Sequence, residues 1–151
     1  MNKTAAERPV LVAGGGIGGL AAALALVRQG LRVQVFEQAP DIGEIGAGIQ
    51  LGPNAFHAFD ALGVGPQARA RAVYTDSMVM HDAVDASLVG RIETGAAFRA
   101  RFGNPYAVIH RADVHRSLFE GAQASGDVAF FTSTRIVQVE QDEAAGTVTA
   151  I

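Results

Sequence analysis

The sequence predicts an α/β fold that opens with a strand, a glycine turn, a helix and a second strand. Three observations carry that prediction. The stretch "VLVAGGGIGGLAAALALV", Val10 to Val27, is uncharged, yet five of the six residues 14 to 19 are glycine. Val10-Leu11-Val12-Ala13 reads as a short buried strand and Ile17 to Gln29 as a helix rich in Ala and Leu, with Gly30 placed as its C′ stop. Arg32 to Phe36 then alternates Val33 and Val35 with Arg32 and Gln34, the period-two pattern of a strand, and Glu37 closes it.

Bulk composition bounds the function. The chain has 151 residues, 49% hydrophobic and 18% charged, which suits one modest folded domain with a real core. Net charge is −3 with no Lys/Arg block, so a nucleic acid or anionic membrane has no electrostatic footprint here. The absence of cysteine removes disulfides, thiolate nucleophiles and Cys-based metal sites, and it fits a cytoplasmic setting. The histidines His57, His81, His110 and His115 show no metal-ligand spacing, so no metal is expected.

An apolar run this long also resembles a signal peptide or a membrane span, for Lys3 and Arg8 precede it. The glycines argue against both. Each interior glycine costs a helix roughly 1 kcal/mol relative to alanine, so a single helix through Val10–Val27 would be weakened over its first half. As a turn, the same residues make chemical sense. Gly14, Gly16 and Gly19 match G-x-G-x-x-G after a strand and before a helix, the Rossmann-like fingerprint of dinucleotide binding. The first glycine allows the tight turn and the second lets a pyrophosphate approach the backbone. The third lets helix and strand lie close. The helix N-terminus adds unpaired N–H groups and partial positive charge. Glu37 follows Gly14 by 23 positions, near the spacing of the acid that binds ribose hydroxyls and disfavours a 2′-phosphate.

The next stretch, "DIGEIGAGIQLGPNAFHAFDALGVG" from Asp41 to Gly65, reads as a glycine-dense loop and then a short helix. Pro53-Asn54 is the start signal, Phe56, Phe59 and Leu62 are its apolar residues, and Gly63 is the stop. Gly46 and Gly48 are compatible with backbone passing close to a bulky ligand and equally with a plain loop. Between Val73 and Ile92, Met78-Val79-Met80 and Leu88-Val89 flank a polar Asp82–Ser87 turn, an antiparallel hairpin pattern. Tyr106 to Ile109 reads as a strand, and Arg111 opens a helix with Val114, Leu118 and Ala122 on one face. Val128 to Phe131 and Ile136 to Val139 read as further strands, followed by a turn at Asp142–Gly146 and a last strand in "TVTAI".

Three ordered segments, "VAGGGIGGLAAALAL…VFEQA", "GEIGAGIQLGPNA…LGV" and "HRADVHRSL", resemble the FAD-dependent aromatic-ring hydroxylases, single-component flavoprotein monooxygenases. In detail "GEIGAGIQLGPNA" and "AAFRARFGNPYAVIHRADVH" look most like the 3-hydroxybenzoate 6-hydroxylases, with salicylate 1-hydroxylases next. The resemblance implies bound FAD, NADH or NADPH as co-substrate, and a small aromatic acid plus oxygen as reactants. The reaction it implies is hydroxylation of 3-hydroxybenzoate to 2,5-dihydroxybenzoate through a flavin hydroperoxide. It implies that Gly14, Gly16 and Gly19 hold the pyrophosphate, Glu37 the adenosine ribose and Arg111 the flavin side, with backbone near Ile136 at the adenine. Ile17, Gly18, Gln38 and Gly48 complete the implied cofactor contacts. His110 and His115 are left as structural residues.

By the same resemblance, residues 1–72 form the FAD-binding βαβ part and 73–105 an antiparallel excursion that begins an inserted substrate domain. Residues 106–151 return to the FAD-binding domain, which is incomplete. The later "DG" and "GD" motifs and the catalytic base are absent, so the chain resembles an N-terminal part with no catalytic residue of its own. That part alone is expected to bind FAD poorly, and a homodimer is compatible with the full-length protein. The readings left open are an NAD-dependent dehydrogenase, an amine-oxidising flavoenzyme, and a truncated remnant or dinucleotide-binding module without catalysis.

Overall fold

The computed structural model describes residues 8–43 and 46–151. Along the chain run β1 (Val10–Ala13), α1 (Ile17–Val27), β2 (Val33–Phe36), β3 (Gly48–Leu51) and α2 (Pro53–Leu62). Next come α3 (Gly65–Arg71), β4 (Val73–Tyr74), β5 (Ser77–His81), β6 (Leu88–Glu93) and α4 (Ala96–Phe102). The chain closes with β7 (Ala107–His110), α5 (Arg111–Ser125), β8 (Val128–Phe131), β9 (Val139–Asp142) and β10 (Thr147–Ala150). The described residues fall into two compact units, one of residues up to 43 with His115–Ile151, the other Gly46–Val114. Among the described residues no helix is long and apolar enough to cross a membrane.

The first unit is built on a parallel sheet of order β1-β2-β8. Val10 pairs with Val33 and Ala13 with Phe36, while Phe36 pairs in turn with Phe131. The β-branched residues of β1 and β2 suit a pleated surface that is covered on a face. Ala23, Val33 and Val35 form a fully buried cluster, packed by Val12, Leu26, Val27, Val128 and Phe130. Ala23 is the small residue that lets α1 lie down on the valines, and each buried valine contributes about 1.5–3 kcal/mol over an exposed one. Helix α1 ends as its glycine predicts. Gly30, at φ +77°, donates to Val27 O at 2.8 Å, and Leu31 donates to Leu26 O at 3.2 Å. These are the paired bonds of a Schellman ending, and they satisfy carbonyls the helix leaves open.

The expected strand Ile136 to Val139 lies elsewhere. Strand β9 begins only at Val139 and pairs with β10, Asp142 opposite Thr147 and Val139 opposite Ala150. The turn sets that register, for Asp142 Oδ1 accepts from Ala145 N at 2.9 Å and Gly146 takes φ +60°. Backbone pairing still reaches Val137, whose N–H donates to Ile151 O at 2.6 Å while Ile151 N–H donates to Gln138 O at 2.9 Å, so the regular ladder starts three residues later than the apolar pattern.

In the second unit β3 and β4 flank β7 in an antiparallel sheet, with Ile49 opposite Ile109 and Val73 opposite Val108. The glycine-dense stretch is therefore a strand from Gly48 onward, while residues 44 and 45 lie outside the described residues. Helix α2 carries Pro53 at its start, where a missing N–H costs nothing, and ends at Gly63 with φ +78°. Val64, 1% exposed, donates to Phe59 O at 2.9 Å and closes that end. Helices α3 and α4 are additions to the sequence reading, each one of seven residues. A polar network joins them. Arg69 donates to Asp60 Oδ2 at 2.7 Å and to Asn104 Oδ1 at 2.7 Å. Asn104 Nδ2 donates to His57 Nδ1 at 3.1 Å, which leaves His57 Nε2 to donate to Phe102 O at 3.3 Å. The hairpin of β5 and β6 forms as expected, with Met78 opposite Ile92.

Asn104 is the buried hub of that network, 7% exposed and bonded on both sides. An Asn104→Ala variant leaves Arg69 and His57 each short of a partner and is expected to lose about 1–3 kcal/mol of stability. A urea melt of variant against parent reads this, and an unchanged midpoint would show the network to be idle.

Candidate functional site

The turn between β1 and α1 is shaped by what its glycines lack. Gly14 takes φ +102°, which L side chains rarely adopt, and its N–H donates to Phe36 O at 2.7 Å. A Cβ on Gly19 would stand 1.9 Å from Gly14 O, so the helix reaches the strand only because Gly19 has none. Gly14, Gly16 and Gly18 are the opposite case: a Cβ on any of them meets nothing within 4 Å. The outer side of the turn is open. Gly16 is the N-cap of α1, in extended conformation and with no side-chain cap, and Ile17 opens the helix behind it. The first-turn amides therefore present donors and partial positive charge to whatever approaches.

Glu37 is tied into this turn. Its Oε2 accepts from Gly15 N at 2.7 Å and its Oε1 from Ala39 N at 2.9 Å. The N–H groups of Ala39 and Gly15 hold its carboxyl below the ordinary 4.5, against the opposing pull of partial burial. Each oxygen keeps a further lone pair for an outside donor. The segment after β8 folds over the end of β2, with Thr134 N donating to Glu37 O at 2.8 Å and Ser133 N to Ala39 O at 2.9 Å. A cavity of about 200 Å³ results, lined by Gly14, Glu37, Gln38, Thr134, Arg135 and Ile136 among others.

Four of the residues singled out in the sequence, Gly14, Glu37, Gln38 and Ile136, thus line one cavity. Gly16, Ile17, Gly18 and Gly19 form the adjoining turn and helix start. Gly48 and Arg111 belong to the second unit. There Gly48 heads β3 opposite His110, and Arg111 N donates to Ala47 O at 3.1 Å. A Cβ on Gly46 would come within 2.9 Å of Arg111 Cβ, so this glycine allows a close passage of chain.

Sequence reasoning passed over Gly15, Thr134 and Arg135, and it read His115 as structural without naming its partner. His115 is 3% exposed and its Nε2 lies 2.7 Å from Gly15 O. Its position beside Val114 and one turn before Leu118, on the apolar face of α5, was the available signal that it is buried. Among the described residues no group of His, Asp and Glu is arranged to hold a metal. The arrangement suits a different ligand. Bare amides at a helix start grip a diphosphate, and an ionised carboxylate beside a cavity accepts hydroxyls of a sugar.

Comparison with known proteins agrees with that chemistry. The family model described as FAD binding domain matches residues 7–151. The chain is 75% identical over 148 residues to the 3-hydroxybenzoate 6-hydroxylase of Polaromonas naphthalenivorans (strain CJ2), covering 98% of this chain and 37% of that protein. It is 57% identical over 131 residues to the Klebsiella oxytoca protein of the same name, covering 87% and 33%. Among solved structures it resembles 2-methyl-3-hydroxypyridine-5-carboxylic acid oxygenase at 26% identity and a TM-score of 0.74, over 95% of this chain and 37% of that one. The fold is also that of Klebsiella pneumoniae HpxO complexed with FAD and uric acid, with a TM-score of 0.76 at 24% identity, covering 94% and 36%. The chain spans about a third of the length of the curated relatives it matches.

Two outcomes are expected of this turn. A Gly19→Ala variant must push Gly14 O aside and should lose about 1–3 kcal/mol, read as a lower Tm; an unshifted Tm would mean the contact relaxes freely. Glu37 has a depressed folded pKa, so its contribution is complete above its ordinary value of 4.5 and is lost as pH falls through the folded value. Melts across that window should show the loss in the parent and less of it in Glu37→Gln.

Proposed function

Because the chain belongs to the FAD binding domain family, we propose that it supplies the adenosine-diphosphate side of the cofactor site in an FAD-dependent aromatic hydroxylase acting on 3-hydroxybenzoate. The observation that carries this is the meeting of Gly14, Glu37, Gln38 and Ile136 around one cavity beside an uncapped helix start. The amides of the turn, with Gly16 at the N-cap of α1, hold the diphosphate. Glu37 accepts the ribose hydroxyls on the lone pairs that Gly15 and Ala39 leave free. Gln38 and the backbone at Ile136 border the adenine. Arg111 answers the negative charge of the cofactor on the flavin side.

When bound, FAD supplies the redox chemistry, taking up reducing equivalents from NADH or NADPH and activating oxygen for insertion into a phenolic ring. The residues of this chain bind and orient the cofactor. The hydroxybenzoate substrate and the 2,5-dihydroxybenzoate product rest on the 75% and 57% identities to proteins named 3-hydroxybenzoate 6-hydroxylase.

The test uses the longest natural protein that contains this sequence. Denaturation is expected to release FAD. Incubation with 3-hydroxybenzoate, NADH or NADPH and oxygen should yield 2,5-dihydroxybenzoate, identified by chromatography alongside oxygen uptake. Release of a nicotinamide with no flavin would overturn the cofactor reading. Turnover of salicylate but not 3-hydroxybenzoate would reassign the protein to salicylate 1-hydroxylation.

A further inference from the structure

Gly15 is held at both of its polar atoms. Its N–H donates to Glu37 Oε2 at 2.7 Å, and its C=O accepts from His115 Nε2 at 2.7 Å. His115 is 3% exposed and stacks on Phe119 with centroids 6.5 Å apart, so its ring is fixed in place. Gly15 is itself buried, which makes its carbonyl costly to leave unpaired.

Geometry carries the consequence one peptide further. A trans peptide unit is planar, with C=O and N–H on opposite sides, and no cis peptide occurs among the described residues. Anchoring Gly15 O to His115 therefore turns the N–H of Gly16 to the other side, away from α5. Gly16 is exposed there, and a Cβ on it would meet nothing within 4 Å. Meanwhile Glu37 occupies the N–H of Gly15. Gly16 is left as the first amide of the turn that faces outward.

We propose that His115 is a positioning residue for the cofactor diphosphate: it sets the plane of the Gly15–Gly16 peptide so that the Gly16 amide meets a phosphate oxygen. This deepens the cofactor reading above and rests on it. His115 donates through Nε2, and a glutamine side chain can place an amide N–H at the same reach, whereas leucine cannot donate.

The experiment takes the longest natural protein that contains this sequence, 15N-labelled and freed of flavin, and titrates it with ADP and separately with adenosine, following the Gly16 and Glu37 amides by NMR in wild type, H115Q and H115L. ADP is expected to shift Gly16 in wild type and H115Q, and to bind about tenfold more weakly to H115L, the loss of one buried hydrogen bond's alignment. Adenosine, which has no phosphate, should bind all three alike. Equal ADP affinity in wild type and H115L would overturn the proposal and leave the cofactor reading standing. Parallel loss of ADP and adenosine would overturn it too, because it would mark His115 as structural support only. A flavin-free wild-type protein of that full length that responds to neither ligand would overturn the cofactor reading and the proposal together. If H115L does not fold, H115Q and His115→Asn decide between them. The shorter asparagine amide falls short of Gly15 O, so it must lose affinity that H115Q keeps, and equal affinity in the two would overturn the proposal.

Discussion

The hydrogen bond from Gly15 N–H to the Glu37 carboxylate joins the two ends of the opening βαβ unit, and the arrangement of the site follows from it. Strands β1 and β2 stop at the same level, because Ala13 pairs with Phe36 and Gly14 N–H reaches Phe36 O. The next residue on each strand must then meet its neighbour. Val33 and Val35 point into the core under α1, and the period of two sends Glu37 to that same side, beneath the glycine turn. A side chain at residue 15 would press on it, as a Cβ there would lie 3.3 Å from Glu37 Cβ. Only a carboxylate can accept there from both Gly15 and Ala39 N–H while keeping lone pairs for a ligand.

Local signals in the sequence recovered the elements whose ends are written in local chemistry. Gly30 and Gly63 stop their helices, Pro53 starts one, and the polar Asp82–Ser87 turn folds the hairpin, all as expected from single residues. Strand boundaries moved by one residue at Arg32 and at Tyr106, within the ordinary fraying of such readings. What was missed depended on distant partners. Gly48–Leu51 becomes a strand because Ala107–His110 lies beside it, and a glycine-rich composition hides the alternation of Ile49 and Leu51 with Gln50. Ile136 and Val137 carry strand-like side chains, but the register dictated by the turn at Asp142 starts the regular ladder at Val139, with Val137 N–H held only by Ile151 O.

The site was legible to a similar degree and for similar reasons. Gly14, Gly16, Gly19 and Glu37 announce themselves by type and spacing, since turn geometry and a ribose-binding acid both demand particular residues. His115 does not. Nothing in its neighbours names Gly15 as its partner, 100 positions earlier in the chain. Its contribution is visible only once α5 is seen against the turn within the first unit. Thr134 and Arg135 line the cavity because the backbone of that segment is pinned to Glu37 and Ala39, a role indifferent to side-chain type and thus silent in the sequence.

In the proposed cofactor site, the fixed carboxylate gives a physical basis for discrimination between adenosine ligands. A flexible glutamate could swing into solvent and tolerate a phosphate on the ribose. Glu37 cannot do so without breaking its bonds to Gly15 and Ala39, and the first of those holds the turn proposed to grip the diphosphate. The same N–H groups hold its carboxyl below the ordinary 4.5, so its charge is present at neutral pH. An added 2′-phosphate would face that charge a few ångströms away, and like charges at such a distance repel by about 1 kcal/mol even in bulk water and by several in a partly buried cleft. Escape by movement would dismantle the proposed diphosphate grip, so on that proposal selectivity for an unphosphorylated ribose and affinity for the diphosphate are one property of this turn.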